Sequence, residues 1–154
     1  RASDLIGMKY LYGMSYEISK KSTISKRLIE IAVVAASFQN KCQYCIVHHT
    51  SILVDLGLKP DAISNITKLG QTGLSQEEVL VRDYALSVTD KAWKVDESLF
   101  VKLKKFFSEA EIVELTMRIA LTGLFNKVNQ ALGIEMEEGL MAQLMSKGIS
   151  TENL

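Results

Sequence analysis

Residues 30–49 read EIAVVAASFQNKCQYCIVHH, from Glu30 to His49. Both cysteines of the chain, Cys42 and Cys45, and both histidines, His48 and His49, fall in this stretch. Its first half continues a run from Ser25 to Phe38 in which Leu28, Ile29, Ile31, Ala32, Val33, Val34, Ala35, Ala36 and Phe38 leave almost no polar side. A helix that is apolar nearly all round is a buried helix, so the run predicts a helix inside the core. Glu30 lies inside it. A buried carboxylate is costly unless it is paired or hydrogen-bonded, and the histidines just downstream are suitable partners.

The second half has helical spacing of its own. At about 100° per residue, a helix starting near Cys42 puts Cys42, Cys45 and His49 within an arc of roughly 60°. His48 points about 100° away from His49 and suits the same task less well. Asn40 is expected to cap this helix through its side-chain oxygen. Both cysteines then sit at the first turn, where the positive end of the helix dipole and the neighbouring Lys41 favour a thiolate. The inferred relay runs from Glu30 to His49 to Cys45: the carboxylate orients the imidazole, and the imidazole takes the thiol proton.

Other chemistries stay open on the residues alone. Free cysteines often serve as small buried hydrophobes. A CxxC with a histidine can hold zinc, although a closed structural site needs four ligands and a second distant ligand pair is missing. A thioredoxin-like domain would set its CxxC between a strand and a helix, and nothing before Cys42 reads as an isolated strand. A helical oligomeric scaffold with a dormant dithiol is the non-catalytic alternative.

The pattern Glu30-x11-Cys42-x2-Cys45-x3-His49 resembles the signature of the alkylhydroperoxidase D-like group within the carboxymuconolactone decarboxylase superfamily. Tyr44 between the cysteines is similar to many of its members. Ser108-Glu-Ala-Glu-Ile-Val-Glu-Leu, with Asn126 and Asn129-Gln-Ala-Leu-Gly downstream, resembles the last core helix of that family, so the likeness covers about residues 25–138. The resemblance implies an all-helical protein, assembled as a homo-oligomer (a trimer or hexamer), that reduces organic hydroperoxides without a cofactor or metal. It implies that Cys45 is the peroxidatic thiol, Cys42 the resolving thiol, His49 the base and Glu30 its partner. A partner dithiol or protein reductant is then expected to restore the thiols. Some members carry a second histidine where this chain has Tyr44, so a proton route through that position is not carried over. The CxxC argues against lactone decarboxylation.

Composition fits one compact domain spanning residues 1–154. Lys plus Arg and Asp plus Glu number 18 each, a net charge of zero, so no basic field draws nucleic acid or anionic lipid. Hydrophobic residues make up 47% and charged residues 23%, which leaves apolar surface for a subunit interface. No segment reaches the ~18 uninterrupted apolar residues of a membrane helix. No secretory leader is read, and the chain opens at Arg1 rather than Met, which leaves room for upstream residues. A lone CxxC, with no cysteine left for structural bridges, points to a reducing cytoplasm.

The remainder reads as helices. Gly57 is expected to end the cysteine helix and Pro60 to open the next. Capping boxes at Ser75–Glu78 and Ser108–Glu111 open two more, the second running about seven turns past a weak point at Gly123. Asp96 is expected to open a short helix through Leu99, Leu103 and Phe106. Residues 9–18 and Glu135 to Lys147 are read as first and last helices. No period-two alternation appears, so little or no sheet is expected.

Overall fold

The computed structural model describes residues 6–68 and 73–150. Among these residues it is all-helical, with eight α-helices and no strand: α1 Ile6–Lys21, α2 Lys26–Gln39, α3 Gln43–Asp55, α4 Pro60–Ser64, α5 Gln76–Lys91, α6 Glu97–Leu103, α7 Glu109–Ala131 and α8 Leu140–Ser146. A short 3-10 turn, Ala92–Lys94, follows α5.

Helix α2 is the axis. Every residue from Leu28 to Ser37 is buried, and α5, α3 and α7 pack around it. Ser25 caps it, accepting from the backbone N–H of Leu28 at 3.3 Å. Burying a Val, Leu or Ile side chain contributes about 1.5–3 kcal/mol, so this one helix supplies much of the drive to fold. Arg27, at its start, donates to Glu78 Oε1 at 2.6 Å and to the carbonyl of Leu56 at 3.1 Å, joining α2 to the start of α5 and the end of α3. Gly57, at φ +83°, lets the chain leave α3 by a left-handed turn, and Pro60 opens α4. Both capping boxes form, Ser75 with Glu78 and Ser108 with Glu111. Helix α1 covers the expected residues 9–18 and extends beyond them at both ends, yet it buries no residue.

Three boundaries differ from expectation. Asn40 does not cap α3. It is the C-cap of α2, still near helical dihedrals, and the chain reverses at Lys41, which takes φ +57°. So tight a reversal leaves Asn40 on the end of the preceding helix, where its side chain donates to Asn126 Oδ1 at 2.9 Å. Cys42 becomes the N-cap of α3 instead, with no side-chain cap bond. Helix α6 stops at Leu103, and Phe106 lies in the turn that leads to Ser108. The last helix is only Leu140–Ser146, because Gly133 at φ +58° and Gly139 at φ +81° put left-handed breaks on either side of residues 134–138. The N–H of Ile134 bonds back to the carbonyl of Asn129 at 3.0 Å, closing α7 in a Schellman turn. The freed segment carries Glu137 back across α3.

Candidate functional site

The short α2–α3 reversal holds the first turn of α3 against the C-terminal half of α7. Cys42 and Cys45, three residues apart with Cα atoms separated by 5.4 Å, are joined as a disulfide. Both are buried, at 1% and 5% exposure. Cys45 lines a cavity of about 400 Å³, a size typical of small-molecule sites. Apolar walls come from Ile29, Val33, Ile52, Leu121 and Phe125. Tyr12 of α1 closes one side, its ring 5.2 Å from that of Phe125.

Glu30 and His49 meet as the sequence predicted. Glu30 Oε2 lies 2.7 Å from His49 Nδ1, with Glu30 the more buried partner. This bond fixes the imidazole through Nδ1 and leaves Nε2 without a hydrogen-bond partner among the described residues, an arrangement suited to a base held by an orienting carboxylate. His49 follows Cys45 by one helical turn, and both line the cavity. Among the described residues no hydrogen bond joins His49 to either sulfur, so of the expected Glu30–His49–Cys45 relay the disulfide form holds the Glu30–His49 contact and not the last one. Nor is there a group of three or more Cys, His, Asp or Glu arranged to hold a metal ion.

His48 and Tyr44 form a second cluster. Their ring centroids lie 4.4 Å apart with the planes tilted by 44°, and both reach Glu137, His48 Nε2 at 2.9 Å and Tyr44 Oη at 3.2 Å. Burial, then its bond to Glu137, raises the Tyr44 hydroxyl above the ordinary phenol range. Glu137 is held below the ordinary carboxylate range, first by its own backbone N–H; burial opposes this, and the bonds from His48 and Tyr44 add smaller lowering effects.

Helix α7 supplies residues to which sequence reasoning gave no role. Asn126 is fully buried, accepting from Asn40 and donating to Ser37 Oγ at 3.2 Å. Gln130 Nε2 donates to the carbonyls of Asn40 and Lys41 at 2.8 and 2.9 Å. Asn129 Nδ2 donates to Cys45 Sγ at 3.3 Å. The available signal was the i, i+3, i+4 amide stripe at 126, 129 and 130 near the end of the helix. Glu137 had no such signal, because its role depends on where the chain breaks after α7.

The family model described as the carboxymuconolactone decarboxylase family matches residues 8–70. That span holds all four predicted site residues but stops well short of the expected residue 138. The chain is 24% identical over 129 residues to the Bacillus subtilis (strain 168) protein YdfG, covering 82% of this chain and 87% of that one. It shares its fold with the Agrobacterium tumefaciens protein ATU0492, a protein of unknown function assigned to the AhpD antioxidant-defence type. There the TM-score is 0.78 and the identity 20%, over 86% of this chain and 91% of that chain. The debrominase Bmp8 has the same fold at a TM-score of 0.74 and 19% identity, over 90% of this chain and 74% of that chain.

Proposed function

We propose that this chain, whose residues 8–70 match the carboxymuconolactone decarboxylase family, is a member of the alkylhydroperoxidase D-like group and acts as a thiol-dependent peroxidase or disulfide reductase. It passes electrons from a dithiol to a hydroperoxide. The observation that carries this reading is the Cys42–Cys45 pair sharing a wall with the Glu30–His49 pair, Cys45 and the imidazole lining one mostly apolar cavity. In the reduced protein His49 takes the Cys45 proton. The thiolate attacks the distal peroxide oxygen, the O–O bond breaks, and the alkoxide leaves as the alcohol with the proton returned by His49. Cys45 is then a sulfenic acid. Cys42 condenses with it, forming the disulfide and releasing water. A dithiol reductant, a small molecule or a protein, restores both thiols by exchange and is itself oxidised to a disulfide.

The apolar walls favour an organic hydroperoxide over hydrogen peroxide. The test is consumption of cumene hydroperoxide driven by a dithiol. Cys45→Ser is expected to abolish turnover, and full activity in that variant would overturn the assignment. Glu30→Gln should lower kcat roughly 10²-fold or more while the protein stays folded, because the imidazole loses its orienting carboxylate. Unfolding of Glu30→Gln would make Glu30 a structural residue instead. The debrominase Bmp8 is also seen with 2,3,4-tribromopyrrole bound, and a brominated pyrrole as alternative oxidant distinguishes peroxide reduction from debromination on the same scaffold.

Assembly and location complete the reading. Helix α1 buries nothing yet carries Ile6, Tyr10, Tyr12, Met14 and Tyr16 on its exposed surface, apolar area suited to a subunit contact. A trimer or hexamer is the proposed state, and sedimentation as a monomer at micromolar concentration would refute it. No helix among the described residues is long and apolar enough to cross a membrane. A cycling dithiol fits the reducing cytoplasm, which is the proposed location.

A further inference from the structure

We propose that Asn129 is a catalytic residue whose side-chain amide stabilises the Cys45 thiolate and selects Cys45, rather than Cys42, as the reacting sulfur. The proposal rests on the dithiol reading above and deepens it. Asn129 projects from α7, and its Nδ2 donates to Cys45 Sγ at 3.3 Å. In the disulfide that sulfur is a weak acceptor, so the bond contributes little there. Once the pair is reduced, the same sulfur carries a full negative charge, and hydrogen bonds to ionised groups are about twice as strong as neutral ones. The donor therefore favours the ionised form and lowers the Cys45 pKa. The amide must present its nitrogen, because Oδ1 at that place would set lone pairs against the thiolate.

The two sulfurs are not equivalent in this respect. Asn129 reaches only Cys45 among the described residues, and Cys45 rather than Cys42 lines the cavity with Asn129 and His49. The donor is also held in register. Gln130, the next residue on α7, grips the carbonyls of Asn40 and Lys41, and Asn126 grips the Asn40 side chain. The loop that ends at Cys42 is thus tied to the helix that carries the amide, and the N–H to sulfur distance is fixed from both sides. His49 removes the proton; Asn129 stabilises the anion left behind, and the same N–H faces the oxygen-bearing sulfur of the sulfenate that follows.

The test is the pH dependence of Cys45 alkylation by iodoacetamide in a Cys42→Ser background, which needs no peroxide. Asn129→Ala should move the profile up by about one to two pH units, the value of one charge-assisted hydrogen bond. Asn129→Asp, of the same shape but with a carboxylate in place of the donor, should move it further. Asn129→Ser, which keeps a shorter donor, should fall between Ala and the parent, and it carries the test should Asn129→Ala fail to fold. With both cysteines present, Asn129→Ala should turn over peroxide roughly tenfold more slowly at pH 7 and approach the parent rate at high pH, a recovery that a merely misplaced loop would not give. Profiles unmoved in folded Asn129→Asp and Asn129→Ser proteins would overturn the proposal. Profiles that move in a protein with no peroxide turnover would leave Asn129 assigned and refute the peroxidase reading alone.

Discussion

Lys41 is the residue on which the site's geometry turns, since it alone among the described non-glycine residues has positive φ, at +57°. A side chain in the left-handed region costs roughly 1–2 kcal/mol, and here the cost is offset by Gln130 holding the Lys41 carbonyl. Lys41→Gly should therefore keep the thermal midpoint or raise it, while Lys41→Val should lower stability by about 1–2 kcal/mol, read as a shift in urea midpoint at constant slope. Lys41→Gly also removes the cation beside the cysteines, so its thiol profile reports the charge separately from the turn. At this scale the sequence was most explicit where chemistry is confined to rare residue types. Two cysteines and two histidines can be paired by counting, and the Glu30–His49 contact follows from one buried acid needing a partner. Glu137 was not readable, because nothing local marks which glutamate will meet an imidazole, and the amide stripe that includes Asn129 does not say which of its members will meet a sulfur.

Helix starts were legible because capping is local. Ser75 and Ser108 each accept the N–H three residues on, and Glu78 and Glu111 return the bond. Replacing either serine by alanine should cost about 1 kcal/mol in chemical denaturation. Glu78 does more than cap, since Arg27 also bonds it. Burial acts to raise its pKa, but the bonds from Arg27 and Ser75 outweigh this and hold the carboxyl below its usual range. The folded state thus binds that proton more weakly than the unfolded chain does. The contribution of Glu78 is complete above the ordinary carboxylate range and is lost as pH falls through its lowered value, from about pH 4 downward. Glu78→Gln should accordingly flatten the acid limb of the stability–pH curve and leave a protein less stable at pH 7 by about 1–3 kcal/mol. Helix ends were harder to foresee. The expected helix over residues 135–147 failed because Gly133 and Gly139 take left-handed turns that the apolar spacing around them does not announce, and the Asn40 cap failed because Lys41 turned where glycine was the usual candidate.

In the whole molecule, the proposed dithiol site and the amides and carboxylate that surround it come from different parts of the chain. Glu30, Cys42, Cys45 and His49 lie within the family-matched residues 8–70, whereas Asn126, Asn129, Gln130 and Glu137 arrive from the far side of the fold. The dithiol was therefore legible as a motif, while its setting depends on the long-range packing of α7 on α2. One further consequence follows from how little chain the Cys42–Cys45 bridge encloses. A covalent tie stabilises a protein mainly by shrinking the unfolded ensemble, and a ring spanning three peptide steps removes little of it, about 2 kcal/mol at most. Calorimetry of the two redox forms should find melting temperatures within about 4–8 °C of each other. A gap of 20 °C would mean that the bridge braces the whole fold. Even so, about 2 kcal/mol changes how often the chain visits its unravelled state by up to about thirtyfold, so opening the bridge makes the dithiol form the more open to proteolysis and resealing it restores protection.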